Sequence, residues 1–109
     1  NIVGSVKNKN CVIVDDIIDS GGTIVNAAKA LKEKGAKDVY VYITHAVLSG
    51  QAVKKIEDSK IKKLITTDTI DNSKKIRGSR KIEIISLAPM ISEAMKRIAN
   101  STSVSSLFK

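Results

Sequence analysis

Two strand-like runs, the apolar Cys11-Val12-Ile13-Val14 and Asp38-Val39-Tyr40-Val41-Tyr42-Ile43-Thr44, stand on either side of a stretch with a different period. In that stretch the apolar residues fall at Ile24, Ala27, Ala28 and Leu31, the i, i+3, i+4, i+7 stripe of a one-sided helix, while Lys29, Lys32, Glu33 and Lys34 take its other side. The spacing predicts a helix over 22–34, stopped by Gly35 in a left-handed conformation. The first run is continuously apolar, which is the pattern of a strand covered on both faces. Strand, helix and strand in this order form a βαβ unit with a right-handed crossover, and that leaves few folds open.

The rest of the chain repeats the alternation. Ser49 is placed to cap a short helix through Ile56 that buries Ala52, Val53 and Ile56. Leu64–Thr67 and Ile82–Ser86 read as a third and a fourth strand. Pro89 suits the first turn of a last helix, where its missing N–H is harmless, and Ile91, Ala94, Met95 and Ile98 line one face of it. Residues 1–10 read as an opening loop and residues 100–109 as a Ser/Thr-rich tail. The expected class is α/β, three-layered, with a mainly parallel sheet. Four strands are few for that class, and the sequence begins with Asn1 rather than Met, so the fold is expected to be incomplete at its N-terminus.

The 109 residues suffice for one small domain. With 42% hydrophobic and 28% charged residues the composition is that of a soluble globular chain rather than a disordered one. No apolar run approaches the ~20 residues of a membrane span, and no signal-peptide pattern is present. The one cysteine, Cys11, forms no internal disulfide, and with a single His it makes no zinc set. It reads as a small buried hydrophobe in a reducing compartment, and a cytoplasmic location is expected.

Of the net charge of +8, residues 1–44 carry +1 and residues 45–109 carry +7. The densest basic run is Lys74-Lys75-Ile76-Arg77-Gly78-Ser79-Arg80-Lys81. None of the three aromatics, Tyr40, Tyr42 and Phe108, lies within it, so stacking on single-stranded bases is poorly supported. A solvated loop or subunit contact is the expectation there, not a nucleic-acid site.

The segment after the first strand, Asp15-Asp16-Ile17-Ile18-Asp19-Ser20-Gly21-Gly22-Thr23, is where function concentrates. In open α/β sheets ligands bind beyond the carboxyl ends of strands. Ser20-Gly21-Gly22-Thr23 stands where the next helix begins, so its N–H groups are unpaired and suit a phosphate, with the Ser20 and Thr23 hydroxyls adding hydrogen bonds. Carboxylates repel a phosphate, so Asp15 and Asp16 are better matched to sugar hydroxyls or a hydrated Mg²⁺. Asp19 stands between the two sets as a base or a holder of the loop's shape. Phosphate at one end and hydroxyls at the other describe a ribose 5-phosphate moiety. Neither G-x-x-x-x-G-K-[ST] nor G-x-G-x-x-G occurs, which argues against a P-loop and a dinucleotide fold.

"VIVDDIIDSGGTI" resembles the phosphoribosyl pyrophosphate (PRPP) loop of type I phosphoribosyltransferase-fold proteins. "VGSVKNKNCVIVDD", "THAVLSGQAVKKI", "TTDTI" and the ending "SLAPMISEAMKRIANSTSVSSLF" are similar to the C-terminal domain of the ribose-phosphate pyrophosphokinase (PRPP synthetase) family, from about Val3 to Phe108. That family usually has Asp, Gly and Phe where Ser5, Ala46 and Leu48 stand here, and commonly Asn where Asp68 stands. None of these departures falls in the PRPP loop.

The resemblance implies transfer of pyrophosphate from Mg·ATP to ribose 5-phosphate, giving PRPP and AMP. It implies that Asp19, Ser20, Gly21, Gly22 and Thr23 grip the 5-phosphate. Asp15 and Asp16 would contact the ribose hydroxyls, directly or through Mg²⁺. The catalytic loop and most ATP contacts would lie upstream of this chain. Ser103-Val104-Ser105 resembles the segment where phosphate or ADP acts as effector in a dimer-based hexamer. A PRPP-consuming phosphoribosyltransferase would explain the loop but not the ending. A non-catalytic regulatory relative is disfavoured by the intact acids and glycines.

Overall fold

A computed structural model of the chain describes residues 4–100, 103 and 105. The elements run β1 (Cys11–Ile18), α1 (Gly22–Glu33), β2 (Val39–Ala46), α2 (Ala52–Glu57), β3 (Ile61–Thr67), β4 (Ile82–Ile85) and α3 (Ala88–Ala99). The four strands form one sheet in the order β1-β2-β3-β4, every pair parallel. This is the α/β architecture with the parallel sheet that the alternating sequence pattern predicts.

One face of the sheet is a packed core. Val41 and Ile43 of β2 and Leu64 of β3 meet Ile24 and Ala28 of α1 and Ala52 and Ile56 of α2, all buried. Each large aliphatic side chain so placed contributes about 1.5–3 kcal/mol relative to exposure. Alpha-helix α1 touches β1, β2, β3 and α2, which makes it the main cover of this face. Beyond its end the chain turns through Gly35 at φ +94°, the left-handed stop expected from sequence.

The opposite face departs from expectation. Val12 and Val14 of β1 are 61% and 73% exposed, with Tyr42 of β2 and Ile85 of β4 also exposed. The third layer anticipated from the uninterrupted apolar run in β1 is not formed among the described residues, and α3 buries none of its side chains. Cys11 is half-buried beside the core.

Candidate anion-binding site

Beta-strand β1 does not end where the acids begin. It stays in register with β2 as far as Ile18 opposite Ala46, so Asp15 and Asp16 lie inside the strand rather than beyond it. This corrects the sequence reading. The cause is long-range, because the ladder to β2 persists past the apolar run.

Adjacent strand residues project to opposite faces, and the two acids divide accordingly. Asp15 lines a hollow of about 210 Å³ together with Ile17, Ile18, Asp19, Ser20, Gly21, Gly22, Thr23 and Ile24. Asp16 is not part of that lining, although its N–H donates to Asp15 Oδ1 at 2.8 Å. The structure therefore brings together all the residues singled out for phosphate contact, and one of the two acids singled out for the sugar.

The loop's shape follows from Gly21. Its φ of +86° is left-handed, which favours glycine for the turn; a Cβ there would meet Ala52 and Ile18 only at ordinary contact distance. Gly22, which opens α1, has open space around it. No side chain caps this helix and no acid occupies its first turn. Among the described residues, the N–H groups of Ser20, Gly21, Gly22, Thr23 and Ile24 donate to no protein acceptor; the helix's first internal bond runs from Val25 N–H to Gly21 carbonyl at 3.1 Å. Five donors and the positive end of a three-turn helix thus border a hollow, the arrangement that holds an anion.

Ser49 was read from sequence as the cap of α2. Instead α2 starts at Ala52 without a side-chain cap, and the Ser49 hydroxyl donates to Asp19 Oδ1. Sequence could not expose this pairing, since the partners are 30 residues apart. His45 Nδ1 lies 2.9 Å from Thr69 Oγ1, a hydrogen bond that ties the end of β2 to the segment after β3.

The described residues hold no group of three His, Cys, Asp or Glu able to bind a metal. Two divergent carboxylates build no cage. They fit Mg²⁺ only as an ion whose ligands come mainly from substrate oxygens and water, a habit natural to this small, strongly hydrated cation.

The 74–81 run is more structural than expected. Lys75 Nζ donates to the Val47 carbonyl at 3.0 Å and Lys81 Nζ to the Ser59 carbonyl at 2.7 Å, while the side chains of Lys74, Arg77 and Arg80 are exposed. In the tail, Ser103 and Ser105 are exposed, with their hydroxyls 3.1 Å apart, and Arg97 Nη1 donates to the Ser103 carbonyl at 3.1 Å. Val104 lies outside the described residues.

Fold and site together define an α/β domain whose first helix begins with unpaired N–H groups beside a hollow. The chain belongs to the phosphoribosyl synthetase-associated domain family, which matches residues 1–109. It is 55% identical over 108 residues to a ribose-phosphate pyrophosphokinase of Clostridium tetani, covering 99% of this chain and 33% of that protein. It is likewise 55% identical to the ribose-phosphate pyrophosphokinase of Coxiella burnetii, over 99% of this chain and 34% of the relative. The solved structure of phosphoribosylpyrophosphate synthetase from Mycobacterium smegmatis superposes with a TM-score of 0.83 at 35% identity, covering 91% of this chain and 33% of that one. The chain spans about a third of the length of the curated relatives it matches. No helix among the described residues is long and apolar enough to cross a membrane.

Proposed function

We propose that residues 1–109 form the C-terminal, sugar-phosphate-binding domain of a ribose-phosphate pyrophosphokinase, with the type I phosphoribosyltransferase fold continuing upstream. The activity is transfer of pyrophosphate from ATP to ribose 5-phosphate, giving PRPP and AMP for nucleotide synthesis. The observation that carries the reading is the set of undonated N–H groups from Ser20 to Ile24 around the hollow, with Asp15 at its edge.

In this reading the 5-phosphate rests on the amides of Ser20, Gly21, Gly22 and Thr23, and the Ser20 and Thr23 hydroxyls donate to its oxygens. Asp15 accepts from a ribose hydroxyl. Asp19 contributes through the position of the loop, because its carboxylate is already held by Ser49. Asp16, on the other face of β1, reaches the ligand only through water or a bridging ion. Mg²⁺, held by Asp15 or Asp16 with substrate and water oxygens, would neutralise phosphate charge during the transfer. Reactions of this type depend on positioning and charge neutralisation. What this chain supplies is position: it fixes the phosphate end so that the anomeric hydroxyl is presented toward ATP, whose site and catalytic groups lie outside these residues.

The proposal extends to the tail, where Ser103 and Ser105 would take phosphate or ADP as effector in a dimer-based hexamer, and to a cytoplasmic location.

Calorimetric titration of ribose 5-phosphate into the full-length protein and its Gly22→Leu variant tests the site. Leucine at position 22 meets no protein atom within 4 Å of its Cβ, so folding should survive while the side chain crowds the amides. Losing two hydrogen bonds to a charged group, at about 1.5–3 kcal/mol each, weakens binding ~100-fold or more. Wild-type affinity in a folded Gly22→Leu protein would refute the site.

A further inference from the structure

The turn between β2 and α2 is held from both sides. On one side Asn72 Nδ2 donates to the Ala46 carbonyl at 2.7 Å and Lys75 Nζ to the Val47 carbonyl at 3.0 Å. In the middle, Leu48 is buried with φ +54°, a conformation that bulky L-residues seldom adopt. On the other side the turn grips the acidic–glycine loop: Val47 N–H donates to the Ile18 carbonyl at 2.8 Å, Ser49 N–H to the Asp19 carbonyl at 3.0 Å, and Ser49 Oγ to the Asp19 carboxylate. Ser49 therefore fixes Asp19 twice, by main chain and by side chain.

The second bond has an electrostatic consequence. Asp19 is the carboxylate immediately before the open amides and lines the same hollow. A carboxylate free to swing would accept from those amides itself, or repel an incoming anion. A hydroxyl donated to it from the neighbouring turn holds it to one side and spreads part of its charge.

We propose that Ser49 is the positioning residue of the phosphate loop, holding Asp19 off the amides of residues 20–24 so that they stay open to a sugar phosphate. The inference rests on the functional reading of that loop and adds to it a residue that does not line the hollow. Asn72 and Lys75 brace the same turn from behind, which gives Ser49 a fixed point from which to act.

Steady-state kinetics of the full-length protein test it, with ribose 5-phosphate and ATP varied separately. Ser49→Ala should raise KM for ribose 5-phosphate on the order of tenfold, the weight of one hydrogen bond to a charged group, and leave KM for ATP unchanged. Ser49→Thr, which keeps the hydroxyl, should restore most of the loss. With Asp19→Ala already present, Ser49→Ala should add nothing further, since the two residues act as one unit. An unchanged KM for ribose 5-phosphate in Ser49→Ala overturns the proposal. So does an equal rise in both KM values that threonine does not rescue, which marks a merely structural residue. Absence of ribose 5-phosphate binding to the wild-type protein by calorimetry brings down the functional reading and this inference with it; normal wild-type binding with an unaffected Ser49→Ala variant removes the role of Ser49 alone.

Discussion

Helices α1 and α3 have the same length and the same apolar stripe, and neither N-cap residue, Gly21 or Leu87, makes a side-chain capping bond, yet the groups around their first N–H donors differ. At the start of α3 the protein supplies its own anion: Asp68 Oδ1 accepts the Leu87 N–H at 2.9 Å, and Ser86 Oγ accepts the Ala88 N–H at 3.1 Å. At the start of α1 no protein acceptor is engaged, and the five residues that carry the unpaired N–H groups line a hollow. Unsatisfied helix-start donors need some acceptor. Where the acceptor is part of the chain the helix start is structural. Where it is absent, the acceptor must come from water or from a ligand. The Glu57 carboxylate is a second internal anion of the α3 kind. It accepts Lys81 N–H at 3.1 Å, Arg80 N–H at 3.4 Å and the Ser79 hydroxyl, and so ties α2 to the start of β4.

The sharpest way to break this contrast is to destroy the open start without touching the closed ones. Gly21→Val puts a β-branched residue at φ +86°, where its strain costs roughly 1–3 kcal/mol. The loop should relax to a different conformation, scatter the amides and lose ribose 5-phosphate binding altogether, with thermal unfolding also shifted down. A folded Gly21→Val protein that still titrates with ribose 5-phosphate would mean the amides are not the receptor.

A smaller effect is expected where the anion is internal. Glu57→Ala leaves Ser79 Oγ and the Lys81 N–H, both part-buried, without their acceptor. Abandoned donors of that kind cost about 1–3 kcal/mol, and each kcal/mol lowers Tm by roughly 4–8 °C in a domain of this size. Differential scanning calorimetry reads the shift. Ribose 5-phosphate affinity should not follow it, since Glu57 lies outside the hollow.

How much of this was legible in the sequence depends on the range of the interaction. The βαβ order, α1 and the glycine loop were legible because periodicity and Gly-Gly punctuation are local. Beta-strand β3 was read as beginning at Leu64, but it begins at Ile61: a register shift opposite Val39 and Tyr40 accommodates Lys62, so Ile61 and Leu64 are both buried although three residues apart. No strand alternation marks such a bulge. Lys63, also inside the longer strand, pairs with Glu83 of β4 at 2.9 Å. Ser49 was misassigned because its partner is Asp19, far along the chain. The stripe of α3 was read correctly as apolar, but a stripe states only that a face is apolar; Ile91, Met95 and Ile98 are more than half exposed.

The smallest effect concerns acid. The Leu87 N–H and the Ser86 hydroxyl hold the Asp68 carboxyl below its ordinary value of 3.8. Burial raises the Glu57 carboxyl, but the Ser79 hydroxyl, the Lys81 and Arg80 N–H groups and the Lys81 charge outweigh it and leave it below 4.5. A carboxyl depressed in the folded state is one the unfolded chain protonates first. Its contribution is therefore complete above the ordinary value and drains away as pH falls through the lower folded one. Asp68→Ala should lower Tm slightly at neutral pH, and its difference from wild type should shrink as pH drops through 3.8 and below, because the wild type then loses the same anion by protonation. Asp68 lies outside the hollow at the start of α1, so ribose 5-phosphate affinity at pH 7 should be the same in both proteins. A Tm difference that persists undiminished in strong acid would show that Asp68 acts by packing rather than as the charged acceptor of the Leu87 N–H, and the contrast between the two helix starts would lose one of its terms.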